Sequence, residues 1–170
     1  MLNRFKNDKN LCLNVVRILS KLQSGRIDPR VEVSTQMKAN DQMFALGASF
    51  VDILCQVFTT YFRDNQTIAI RAAFVLGNLT TDYSEARTVI LSQKYFVFCL
   101  NISEYLFKPE EKENKKKQMN STEDFLTKVI RLVANLLTEE EVKKDLPKMH
   151  TQIITFFRNG LRALKEKTLE

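Results

Sequence analysis

Tryptophan is absent from the chain, histidine occurs once, and only four glycines and three prolines interrupt its 170 residues. So few turn-forming residues, with no sustained alternation of Val, Ile and Thr, exclude a turn-rich β architecture and favour an all-α fold. The lone His150 has no Cys or His at ligand spacing, so no metal site is expected. No GxGxxG, GxxxxGK[ST] or GxSxG occurs, which removes the phosphate cradles and the nucleophile elbow. Acidic clusters such as "TEEEV" and "KPEEKE" read as helix-start charge and loop solvation. The expectation is a protein with no cofactor and no catalytic activity.

Long apolar runs are missing too. No segment reaches the roughly 18 consecutive apolar residues that span a bilayer. The opening "MLNRFKNDKN" lacks the apolar core of a signal peptide. Cys12, Cys55 and Cys99 each sit in an apolar helical context, as in "LCLNVV" and "VFCLNI", and read as buried free thiols of a reducing compartment. A cytoplasmic setting is therefore expected. The sequons beginning at Asn65, Asn78, Asn101 and Asn120 carry no meaning for glycosylation there.

What is present is a core and a positive charge. Hydrophobic residues make up 44% of the chain and charged residues 27%, with a net charge of +6. Basicity of this size admits an acidic protein, a nucleic acid or a membrane surface as partner, and does not choose among them.

The chain also repeats. "LCLNVVRILSKL", "IAIRAAFVLGNL" and "TKVIRLVANL" align so that Leu22, Leu79 and Leu136 fall 57 residues apart both times. Large apolar pairs precede them: Ile18/Leu19, Val75/Leu76 and Leu132/Val133. A small residue comes next (Ser20, Gly77, Ala134), then a polar one (Lys21, Asn78, Asn135). The small column suggests helices crossing closely, which would offset the roughly 1 kcal/mol of helix propensity lost at Gly77.

Each segment is followed by similar text. After the second come a turn, a short helix near residues 83–91 and an amphipathic helix near 94–106. After the third, Thr138 is expected to N-cap a helix, Pro147 to break it, and a second helix to carry Ile153, Ile154, Phe156 and Phe157. In the first unit the corresponding helices fall at 32–37 and 41–62. Three helices per unit, stacked, make a right-handed α-solenoid. The whole chain, 1–170, reads as one array with segments at about 10–62, 66–107 and 123–168. Residues 108–122, almost wholly polar, read as a disordered surface insert whose run Lys115, Lys116, Lys117 is solvated. Without a polar cap helix at its start, the array reads as an excerpt of a longer solenoid, or as one whose ends are covered by partners.

"AAFVLGNLTTDYSEAR" resembles the last helix of an armadillo repeat and its entry into the next, with "VANLL" and "RILSKL" as weaker copies. The resemblance covers the three core segments and hardly touches the inserts. It implies a scaffold or adaptor without catalysis, set in assembly of the ciliary or flagellar axoneme. It also implies that the third helices line a groove for an extended partner segment. The column Lys21, Asn78, Asn135 matches the family's asparagine ladder, in which an amide both donates to and accepts from a ligand backbone.

Helical geometry extends that face four and seven residues earlier. The candidate partner-binding residues are Asn14, Arg17 and Lys21, then Arg71, Phe74 and Asn78, then Lys128, Arg131 and Asn135. Five of the nine are cations and none is acidic, which suits an extended acidic segment gripped by arginines. The plainer alternative is solvation of exposed helix surface, and Phe74 is either core or groove. Importin-type grooves alternate tryptophan with asparagine and carry acids for basic cargo. Here the tryptophan column holds Arg17, Phe74 and Arg131, so a basic import peptide would be repelled. The competing class is a basic nucleic-acid-binding module tracking phosphates, although the aromatics fall at core spacing rather than on stacking platforms. A membrane-surface role would need apolar faces that stacking already uses.

Overall fold

The computed structural model describes residues 7–23, 47–92, 95–106 and 115–166. Among them are seven helices and no strand: α1 Lys9–Gln23, α2 Ala48–Tyr61, α3 Gln66–Asp82, α4 Ser84–Ser92, α5 Tyr95–Leu106, α6 Lys115–Leu136 and α7 Glu140–Glu166. The arrangement is compatible with an α-solenoid. The expected helix at 32–37 and the start of the one at 41–62 lie outside the described residues.

Local signals start the first three helices. Asp8 caps α1, its carboxylate accepting from the Leu11 N–H at 3.0 Å. Gly47, at φ 78°, supplies the left-handed turn into α2 that a side chain would oppose. The Asn65 side chain accepts from the Ile68 N–H at 3.2 Å and caps α3.

The three repeat segments form one layer. α3 packs against α1 on one side and, most extensively, against α6 on the other. Because α2 and α4 also pack on it, α3 is apolar nearly all round. Ile68, Ala69, Ala72, Ala73, Val75, Leu76 and Leu79 are all buried, and the alanines let neighbouring helices approach. α2 packs on α3, α5 packs on α6, and α7 packs on α5 and α6.

Aromatic contacts lock these helices together. Phe98 on α5 meets Phe62 and Phe58 edge-on, with centroids 4.9 and 5.6 Å apart, and Phe58 lies 5.9 Å from Phe125 of α6. Burying rings of this size stabilises by about 1.5–3 kcal/mol each. Between α2 and α5, Asp52 accepts from the Tyr95 hydroxyl at 2.9 Å and from Gln56 Nε2 at 2.7 Å. Burial, then that bond to Asp52, pushes the Tyr95 phenol well above its usual range.

Four expectations change. α7 runs unbroken through Pro147. Pro147 and Lys143 are both exposed, so water can satisfy the Lys143 carbonyl that the proline leaves without an N–H. Thr138 does not begin that helix. Its hydroxyl donates back to the Asn135 carbonyl at 2.7 Å, while the Glu139 carbonyl accepts from the Lys143 N–H. α6 begins at Lys115, inside the stretch expected to be an unstructured insert. Lys, Gln and Met are good helix formers, so a helix anchored by buried Phe125–Leu136 side chains propagates back into them.

The fourth concerns Gly77. A Cβ built there meets nothing within 4 Å, so no close crossing requires the glycine. Its mate Ala134 is exposed. What meets Gly77 is polar: its carbonyl accepts from Asn135 Nδ2 at 2.8 Å, Thr81 Oγ1 at 2.9 Å and Thr80 Oγ1 at 3.0 Å.

Candidate partner-binding face

The nine candidate positions fall on α1, α3 and α6, the helices that the fold stacks side by side. Their exposures differ by rung. Asn14, Arg17 and Lys21 are exposed on α1, as is Arg131 on α6. Arg71, Phe74, Lys128 and Asn135 are half-buried, and Asn78 is buried.

Asn78 is therefore not presented to a groove. It donates from Nδ2 to Gln23 Oε1 at 3.3 Å, and Gln23 Nε2 donates on to the Val75 carbonyl at 3.5 Å. One rung later, Asn135 donates to Thr80 Oγ1 at 3.1 Å across the same separation of 55 residues. The asparagine column thus ties consecutive rungs to each other. A buried amide needs its partners, and here the preceding rung supplies them. Gln23 escaped the sequence reading, although it stands one period before buried Thr80 and is itself wholly buried.

The arginine at the next position is also engaged. Arg71 Nη1 donates to Ser20 Oγ at 2.9 Å, and Ser20 in turn donates to the Arg17 carbonyl. Arg71 Nε is buried without an acceptor. Phe74 packs against the core while Lys128 Nζ sits 5.4 Å from its ring centre, so it serves both core and face. Lys128 also pairs with exposed Asp124 at 3.4 Å, which dilutes the positive stripe at that point. Arg17 and Arg131 remain as outward-facing arginines of one column, with Phe74 between them.

A further tie lies at the far end of α3. Arg87 of α4 donates from Nη1 to the Thr80 carbonyl at 2.6 Å and pairs with Glu139 in the α6–α7 turn. A cation at a helix C-terminus meets its orphan carbonyls, and the pair joins three elements.

The described residues contain no group of three or more His, Cys, Asp or Glu that could hold a metal ion, and no helix long and apolar enough to cross a membrane. Cys12, Cys55 and Cys99 are buried free thiols. Burial raises all three and pushes Cys99 up to about 12, so they stay protonated and unreactive at neutral pH.

No protein-family profile matches the chain, and no solved structure does. Two curated relatives do. The mouse "Armadillo repeat-containing protein 2" is 28% identical over 99% of this chain, and the human protein of that name is 25% identical over 79% of it. The matched regions span only 18% and 16% of those proteins. These likenesses support an assignment to the armadillo-repeat family.

Proposed function

We propose that the chain is a non-enzymatic protein-binding scaffold, a single right-handed armadillo-like array that takes an extended acidic segment along its third helices. The observation that supports this most is the pair of outward-facing arginines, Arg17 and Arg131, in one column two rungs apart, with Lys21 beside the first. Of the nine positions, Asn78 and Asn135 serve as ties between rungs, and Arg71 contributes charge while held by Ser20.

The spacing suggests the ligand's form. Stacked helices lie about 8–10 Å apart, and an extended chain advances about 3.3 Å per residue. Successive rungs would then meet every third residue, and a segment with an acid at that interval would follow the stripe. The setting that the family resemblance implies is assembly or transport of ciliary or flagellar axoneme components from the cytoplasm.

The test is fluorescence anisotropy with a labelled peptide carrying aspartate at every third residue. Wild type should bind it, more tightly at low salt. The Arg17→Glu/Arg131→Glu double variant should lose at least tenfold in affinity while its helical signal and Tm stay put, since both side chains are exposed. Undiminished binding by that variant removes the proposal. Tighter capture of generic RNA with a steep salt slope would favour a nucleic-acid module instead.

A further inference from the structure

The middle rung of the candidate face differs from the two beside it. On α3 the side chains that reach solvent between Thr67 and Thr81 are Ile70, Arg71 and Phe74, since every residue from Val75 to Thr80 is buried. Ile70 and Phe74 stand four apart, so they share one face of the helix, and each packs on the core while staying half-open to solvent. One period away, the same two positions hold Leu13 and Arg17 on α1, and Thr127 and Arg131 on α6. α3 alone fills both with apolar residues.

The polar groups around this pair are already engaged. Arg71 Nη1 is held by Ser20, and Arg71 Nε is buried. Lys128 pairs with Asp124 while its Nζ lies 5.4 Å from the Phe74 ring centre. Asn78 is buried in its bond to Gln23. A carboxylate seated over the middle rung would lose water against Ile70 and Phe74 while the flanking cations serve other partners, an unfavourable exchange. An apolar side chain at the same place gains from that burial. On the outer rungs the balance reverses, because Arg17 and Arg131 face outward.

The backbone of an extended ligand permits such a mixture. A polyproline II segment has three residues per turn and rises about 3.1 Å per residue, so every third side chain returns to one face after about 9 Å. Stacked helices lie about 8–10 Å apart, which is the same interval. Side chains three apart would then meet the positions of Arg17, Phe74 and Arg131 in turn. We propose that the face selects a segment whose every third residue runs acid, apolar, acid, with a side chain such as leucine seated between Ile70 and Phe74. The inference rests on the acidic-segment reading and sharpens it: the outer rungs read charge, and Ile70 and Phe74 read hydrophobicity.

Three labelled peptides test this by fluorescence anisotropy. They share two aspartates six residues apart and carry leucine, alanine or aspartate midway between them. Wild type should bind the leucine peptide about fivefold more tightly than the alanine one, as partial burial of the added carbons supplies. It should bind the aspartate peptide more weakly than the leucine one. Raising salt should weaken all three, yet leave the leucine-to-alanine ratio unchanged, because ions screen the aspartates and not an apolar contact. Phe74→Arg should reverse the order in favour of the central aspartate. Ile70→Thr, which installs the third rung's residue, should narrow the leucine preference and serves if the arginine variant loses its helical signal. Equal affinity for the leucine and alanine peptides, or tightest binding of the aspartate peptide, overturns the proposal. If Arg17→Glu/Arg131→Glu still abolishes binding in that case, the acidic-segment reading stands without it. Failure of all three peptides to bind overturns both.

Discussion

Replacing Gly77 with alanine separates two explanations of the glycine by the sign of the effect. In mid-helix, glycine costs about 0.5–1 kcal/mol relative to alanine, chiefly through backbone entropy. A close helix crossing would reverse the balance, because a methyl forced into a packed contact typically costs about 1–3 kcal/mol. The structure places nothing within 4 Å of the new Cβ, so the steric cost is absent. Gly77→Ala should therefore stabilise the fold by about 0.5–1 kcal/mol, which for a chain of this size raises Tm by about 1–4 °C. Gly160 supplies the contrast, since its Cβ would meet Ile130 Cδ1 at 3.2 Å. There the propensity gain is offset by displacing a methyl, and the net effect should be smaller. Ala134→Gly, at an exposed helical position, should lose about what Gly77→Ala gains. The assay is urea unfolding followed by far-UV circular dichroism. A Gly77→Ala protein less stable than its parent would refute the reasoning and restore the close crossing.

The remaining predictions concern the ties and the thiols. Asn78→Ala should cost about 1 kcal/mol or more in the same urea assay, because it removes a buried hydrogen bond that joins α3 to Gln23 of α1. Asn135→Ala should cost about 1 kcal/mol, since its site is half-exposed and the Gly77 carbonyl keeps two threonine donors. Arg87→Ala should cost about 2 kcal/mol through loss of the Glu139 pair and the Thr80 carbonyl bond, and Arg87→Lys should recover only part of it. Cys99 links stability to alkaline pH. Its folded value of about 12 exceeds the ordinary 9.0, so the unfolded thiol ionises first. The stability that Cys99 contributes is thus present below about pH 9 and is lost as pH rises towards about 12. Urea midpoints measured across that range should show the fall, and Cys99→Ala should reduce the slope, leaving the share that Cys12, Cys55 and the raised phenols of Tyr61 and Tyr95 contribute in the same direction.

Periodicity alone located the three rungs, because large apolar residues recurring at helical spacing can be buried only by stacking. It also placed α4 and α5 within a residue or two, since the turn after Asp82 and the apolar run from Tyr95 are local signals. The same reading identified the buried thiols and the cationic residues of the third helices. It misjudged Asn78. A lone amide beside Leu76 and Leu79 has the same local pattern whether it faces solvent or a buried glutamine 55 residues away, and only the docking of α1 on α3 decides between them. Gly77 was misread for a related reason: the space beside a Cβ depends on where the neighbouring rung lies. Pro147 likewise sits within a helix because its exposed flank lets water take the freed carbonyl, which hydropathy does not encode. The sequence by itself determined the all-helical unit, its period and its charge, which are sums over near neighbours along the chain. Which polar residues bind the rungs together and which stay exposed for a partner was decided only by tertiary structure, since each of those contacts joins residues roughly one period apart.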